Sequence, residues 1–182
     1  MDKNTTWIGE QHLSIERCKI ISKENSYHVK GELVGNKNNQ VYGVDYQIVV
    51  DENWETRFFS IETRTGHKNN FINAHKINGL WMIDEMDRPE FNECLDIDIA
   101  ITPFTNTIPI NRLKLAVNAT AEITVIYIDP IDGRLVPMLQ QYTRLSDSRY
   151  FYKNLGTEFE SEIEVDENGI VLNYPGLFKA II

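Results

Sequence analysis

From residue 17 to residue 174 the chain is cut at short intervals by turn-forming clusters, and the stretches between the cuts alternate apolar and polar side chains. Alternation with period two is the signature of a half-buried strand rather than a helix. The cuts include Lys23-Glu24-Asn25, Gly35-Asn36-Lys37-Asn38-Asn39, Asp51-Glu52-Asn53, Asn78-Gly79 and Asp166-Glu167-Asn168-Gly169. Each is rich in residues that tolerate left-handed backbone or bond their own main chain, and Asn78-Gly79 is the favoured two-residue hairpin turn. Over residues 41–50, Tyr42, Val44, Tyr46, Ile48 and Val50 share one face. Pro137, within the strand expected over 134–145, predicts a sheet edge or a bulge there. A dozen or so strands cannot lie flat in one open sheet, because twisted sheets of that width curl or close. The expectation is a single all-β domain over residues 1–182, with its sheet rolled.

One stretch breaks the pattern. Residues 94–115 read CLDIDIAITPFTNTIPINRLKL, a buried strand followed by a proline-framed turn and one short helix. In the strand Leu95, Ile97 and Ile99 line one face, so Asp96 and Asp98 point to the other, roughly 7 Å apart. Thr102-Pro103 and Thr107-Ile108-Pro109 bias the preceding residues to extended backbone, so the strand stops near Ile101. Asn106 or Thr107 is the expected cap, with Pro109 in the first turn and Ile108, Ile110 and Leu113 forming the apolar stripe.

The carboxylate pair admits three uses: a general acid and base, part of a site for a hard cation, or an internal anchor for Arg112. The segment has too few oxygen ligands for a cation, and the anchor is the preferred reading, with Asp96, Asp98 and Arg112 as a structural ion-pair group. No metal site and no cofactor are expected. No catalytic residue is assigned. His12, His28, His67 and His75 stand in no nucleophile motif, and the chain has no nucleophile elbow, Walker loop or Rossmann glycine pattern.

The run from Cys94 through Asp98, then Thr102-Pro103-Phe104-Thr105-Asn106-Thr107-Ile108-Pro109-Ile110 and Arg112-Leu113, resembles the signature of the bacterial glycolipid-binding protein family, long a domain of unknown function. The resemblance extends to Glu16-Arg17-Cys18, Trp54 with Thr56-Arg57, Trp81 with Asp84, Gln141-Tyr142-Thr143, Val165-Asp166, Asn168-Gly169 and Tyr174-Pro175-Gly176-Leu177-Phe178, so it covers essentially the whole chain. Glu93 and Asn111 depart from it, standing where the family usually has a glycine and an arginine. The resemblance implies a spiral β-roll, one long antiparallel sheet wrapped around a single helix, here over residues 108–115, and a homodimer. It brings no established catalytic residues.

The net charge of −9, from 18 Lys and Arg against 27 Asp and Glu, argues against nucleic acid and anionic membrane surfaces as partners. The polar start Met1-Asp2-Lys3-Asn4-Thr5-Thr6 has no apolar run after it, and no segment reaches the length of a membrane span, so the expectation is a cytoplasmic protein without stable membrane insertion. Cys18 and Cys94 lie in strand patterns with no metal spacing and read as reduced core thiols, with a disulfide as the alternative.

For binding, Trp54, Arg57, Trp81, Tyr142 and Tyr152 are the candidates, with Trp7, Tyr46 and Tyr150 behind them. Aromatic faces stack on sugars, and a curved sheet with an incompletely filled interior holds an acyl chain. The same side chains serve equally as core fillers with bonded polar tips. The reading is therefore a non-enzymatic protein that binds a glycolipid or other amphipathic molecule. The alternatives are a hydrolase of carbohydrate or lipid metabolism using Asp96 and Asp98, and a protein-interaction module at a sheet edge.

Overall fold

The computed structural model describes residues 2–11, 13–66 and 68–181. It is an all-β roll enclosing one helix. The first half of the chain is a meander of eight strands: β1 (Lys3–Gly9), β2 (Ser14–Lys23), β3 (Ser26–Lys37), β4 (Gln40–Asp51), β5 (Thr56–Thr65), β6 (Lys68–Ile77), β7 (Leu80–Ile83) and β8 (Met86–Asp87). A 3-10 turn at Pro89–Phe91 leads to β9 (Asp96–Ile99) and the helix α1 (Phe104–Leu113). A second meander follows: β10 (Thr120–Asp129), β11 (Arg134–Arg144), β12 (Arg149–Asn154), β13 (Glu160–Val165), β14 (Val171–Tyr174) and β15 (Phe178–Ile181).

All fifteen strands form one sheet, in the order β8 to β1, then β15 to β9. The two meanders join where β1 pairs with β15, antiparallel. The sole parallel pair among the described residues is β9 with β10, and α1 is its crossover. The sheet ends at β8 and β9, and the chain just before β9 lies against the other half: the Leu95 carbonyl accepts the Thr56 N–H at 2.9 Å and the Cys94 carbonyl accepts Trp81 Nε1 at 3.0 Å. The far edge is thereby rolled inward, which removes a template for edge pairing.

The alternation expected over residues 41–50 is the observed one, with Tyr42, Val44, Tyr46, Ile48 and Val50 all buried. The phenols fit because glycines oppose them: Gly31 pairs with Tyr46 and Gly35 with Tyr42, and a Cβ at Gly31 would stand 2.1 Å from the Tyr46 ring. Asn78 and Gly79 both take positive φ, 51° and 84°, as their hairpin turn requires. Pro137 lies in an internal strand, but pairing of β11 with β12 starts only at Gln140, so around Pro137 the strand has a partner on one side alone. Locally it is an edge.

The helix begins earlier than its prolines suggest. Thr102 Oγ1 accepts the Phe104 N–H at 3.1 Å, Pro103 stands at the cap position, and the first turn is Phe104 onward rather than Pro109 onward. Pro103 thus takes the cap position expected of Asn106 or Thr107, and those two residues and Pro109 lie inside the helix instead. Leu115 lies beyond the end, because Lys114 turns left-handed at φ 47°. Every residue from Phe104 to Ile110 is buried. Phe104 and Ile108 belong to the core cluster that holds Trp7, Tyr46 and Ile61, and Ile110 belongs to the one that holds Tyr142 and Val165, so the helix joins both. A helix this short is held by that packing rather than by its own propensity.

Two strands fall outside the sequence reading. The polar start contains β1, whose Trp7 is fully buried, and the closing tail contains β15. No helix among the described residues is long and apolar enough to cross a membrane.

Candidate functional site

The helix α1 runs back along β9, so its first turn meets the end of that strand and its last turn meets the beginning. Asp96, fully buried, receives Arg112 in a forked pair: Nε reaches Oδ1 at 2.9 Å and Nη2 reaches Oδ2 at 2.5 Å. Burial pushes the Asp96 carboxyl up, and the hydrogen bonds and charge of Arg112 oppose that push. Asp98, two residues on, does not share this arginine. It accepts Gln140 Nε2 at 2.6 Å and Thr105 Oγ1 at 3.4 Å, and burial raises its carboxyl against those two bonds.

Asp98 forms part of the floor of a cleft of about 460 Å³, with Thr102 and Asn106 beside it. Tyr127, Tyr152, Tyr174, Phe159 and Phe178 form its walls. The rings touch in series: Tyr152 lies 6.0 Å from Phe159 and 6.2 Å from Tyr174, and Tyr174 lies 6.4 Å from Phe178. Burial raises the hydroxyls of Tyr152 and Tyr174, with the nearby Asp98 charge adding to it, so both remain protonated donors at neutral pH. Phe159, 40% exposed, opens the wall to solvent together with Leu177 and Met138, while Lys37 and Arg134 supply positive charge.

Beneath the cleft lies a second buried carboxylate. Glu16 accepts the Tyr46 hydroxyl at 2.5 Å and the Thr102 hydroxyl at 2.8 Å through Oε1, while Oε2 has no partner. Burial lifts its pKa to about 7. Thr102 therefore donates to Glu16 and accepts from the helix start, joining β2 to α1 at the cleft floor.

The five binding candidates do not converge. Tyr152 lines the cleft, and Tyr142, buried one layer below, donates its hydroxyl to Asn106 Oδ1 at 2.8 Å. Trp54 is stacked on Tyr27 at 4.7 Å with φ of 65°, and it borders a separate hollow of about 330 Å³ with Asn111 and Lys114 at the far end of the helix. Arg57 is on the surface, paired with Asp51 and Glu55. Trp81 is a core residue, its indole bonded to the Cys94 carbonyl. Of the cleft's other residues, Tyr174 and Phe178 stand in the closing motif of the sequence and face each other across the β14–β15 pair. Tyr127 and Arg134 carry no sequence signal beyond strand character.

Cys18 and Cys94 are both buried and unbridged, and burial pushes the Cys94 thiol up to about 11. No group of three or more His, Cys, Asp or Glu among the described residues is placed to hold a metal ion. His28 and His75 lie in β3 and β6 away from the cleft, and His12 and His67 lie outside the described residues.

A family model described as "Putative glycolipid-binding" matches residues 4–180. The chain belongs to this glycolipid-binding family. Among solved structures, it is similar to a crystal structure of a DUF1089 family protein from Pseudomonas aeruginosa, at 33% identity and a TM-score of 0.80, over 91% of this chain and 92% of that one. No curated protein matches the chain. Within the family's fold, the matched run from Cys94 to Leu113 is what places Asp98 on the cleft floor and Asp96 under Arg112.

Proposed function

We propose that this chain binds the sugar headgroup of a glycolipid or similar amphipathic molecule in the cleft above Asp98, without transforming it chemically. The observation that carries the reading is a half-buried carboxylate at the base of a cleft walled by five aromatic rings. A carboxylate oriented by Gln140 and Thr105 accepts hydrogen bonds from sugar hydroxyls, and its orienting partners are themselves fixed by packing. Aromatic faces cover the apolar face of a sugar ring, while tyrosine hydroxyls bond its edge. The apolar mouth at Phe159, Leu177 and Met138 suits the first carbons of an acyl or alkyl chain. The family's description agrees with this chemistry.

Hydrolysis by Asp96 and Asp98 is less well supported. An acid and base must face one substrate from the same cleft, whereas Asp96 is enclosed and held at both oxygens by Arg112.

The reading also includes a second copy of the chain. Ile8, Ile15 and Val34 stand in cross-strand register on the outer face of β1, β2 and β3, each about half exposed, an apolar row of the kind a partner covers. Sedimentation separates a 21.1 kDa monomer from its dimer.

Native mass spectrometry of protein purified without detergent tests the binding itself. A retained sugar-containing amphiphile, released on unfolding, is the expected result. A bare polypeptide that also fails to take up added octyl glucoside would refute it.

A further inference from the structure

The cleft carries an order of charge from floor to rim. Asp98 stands opposite Tyr127 across the parallel β9–β10 pair, and the Arg134 guanidinium lies 5.7 Å over the centre of the Tyr127 ring. Arg57, Arg64, Arg88, Arg112, Arg144 and Arg149 each hold a carboxylate. Arg17 and Arg134 hold none among the described residues. Arg17 points outward from β2, on the side opposite buried Glu16 and Cys18, whereas Arg134 lines the cleft.

The other charges there are already answered. Lys37 reaches Asp132 at 2.8 Å and Asp129 at 3.7 Å, and Asp129 Oδ1 accepts the N–H groups of Ile131 and Asp132. In a chain with net charge −9, Arg134 is thus a fork of donors left open beside a binding cleft. A guanidinium presented on an aromatic ring matches the two oxygens of a carboxylate or phosphate.

We propose that the cleft selects an anionic sugar amphiphile, whose sugar hydroxyls meet Asp98 and whose oxyanion, a carboxylate or a phosphate, is received by Arg134. This rests on the reading of the cleft as a sugar site and adds to it the charge of the ligand and its direction. An oxyanion turned inward would meet the Asp98 carboxylate. One orientation remains, with neutral hydroxyls on the floor and the negative group at the rim over Tyr127.

Three probes test this: octyl glucoside, octyl glucuronide and octyl glucoside 6-phosphate, which share ring and chain and differ at the sixth carbon. Each is titrated below its micellar concentration, at 0.15 M salt so that diffuse attraction is screened, with tyrosine fluorescence as the signal. The wild-type chain should bind one anionic probe about tenfold more tightly than octyl glucoside, and which of the two it is separates a carboxylate from a phosphate ligand. Arg134→Gln should bring that ratio toward one and Arg134→Lys should restore part of it. Arg17→Gln removes the same charge from the outer face and should leave the ratio as it is. Equal binding of all three probes, or a preference that survives Arg134→Gln, overturns the inference while leaving the sugar site standing. Saturable binding of none overturns both.

Discussion

The Thr102 hydroxyl, which accepts the first N–H of α1, donates to Glu16 at 2.8 Å and so ties the start of the helix to a strand 86 positions earlier in the chain. Glu16 has no cation within this contact, only the Tyr46 and Thr102 hydroxyls, so its charge is poorly supported where it lies. The pKa of about 7 in the folded chain stands above the ordinary 4.5. The native state therefore keeps a proton that the unfolded chain releases. Its contribution to stability is full below pH 4.5, falls as pH rises, and is lost once pH passes 7. The loss amounts to about 3 kcal/mol. Urea unfolding at pH 5 and pH 8 should show the wild-type chain less stable at the higher pH, with the difference sharply reduced in Glu16→Gln. An equal difference in both proteins would remove Glu16 as its source.

Asp96 and Arg112 fix the other end of the helix. Arg112→Ala leaves a fully buried carboxylate without its partner, and the expected cost is about 3–5 kcal/mol. The double variant Asp96→Asn with Arg112→Met should recover part of that loss, because it removes the stranded charge as well. A melting temperature unchanged in Arg112→Ala would show that the pair does not anchor the helix.

Gly31 and Gly43 lie on neighbouring strands but differ in what a methyl group would meet. At Gly31 the Tyr46 ring is 2.1 Å away, whereas at Gly43 the nearest atom, on Arg64, is at 3.6 Å. Gly31→Ala should destabilise by about 1–3 kcal/mol through overpacking. Gly43→Ala should be neutral or stabilise by up to about 1 kcal/mol. Denaturant midpoints compare the two, and equal effects would mean that Tyr46 is not seated on Gly31.

Asp98→Asn keeps the shape of the cleft floor but replaces an acceptor oxygen with a donor. Octyl glucoside binding should weaken by about tenfold. Since burial raises the Asp98 carboxyl, wild-type binding should also weaken as pH falls through that raised value, and the variant should lack this dependence. Titration calorimetry across the acidic range reads both effects.

The parts of this molecule that were legible in the sequence are those governed by local pattern. Alternation placed Tyr42 through Val50 on one face, and Asn78-Gly79 marked its turn, because both depend on neighbours a few residues apart. The strands β1 and β15 were not legible. They are polar or short, and each completes its pairing with a partner from the opposite end of the chain, β1 lying between β2 and β15 and β15 between β14 and β1. The helix start is hidden from local pattern for a related reason: Thr102, which accepts the first helical N–H, is held by Glu16, far away in sequence. At the site, the aspartates were visible but their separate duties were not, since Gln140 and Arg112 arrive from different elements. Trp54 and Trp81 drew notice as large aromatics, yet one stacks on Tyr27 and the other fills the core. The aromatic wall comes from β10, β12, β14, β15 and the loop before β13, and only the roll brings those elements to one place.

The most direct test of a sugar site over Asp98 is amide and aromatic-ring NMR of the labelled chain during titration with octyl glucoside. Saturating shifts should concentrate at Asp98, Tyr127, Tyr152, Tyr174 and Phe178, and Asp98→Asn should reduce their size at a given ligand concentration. Shifts confined to the hollow beside Trp54, or to the outer row of Ile8, Ile15 and Val34, would place the ligand elsewhere and contradict the account.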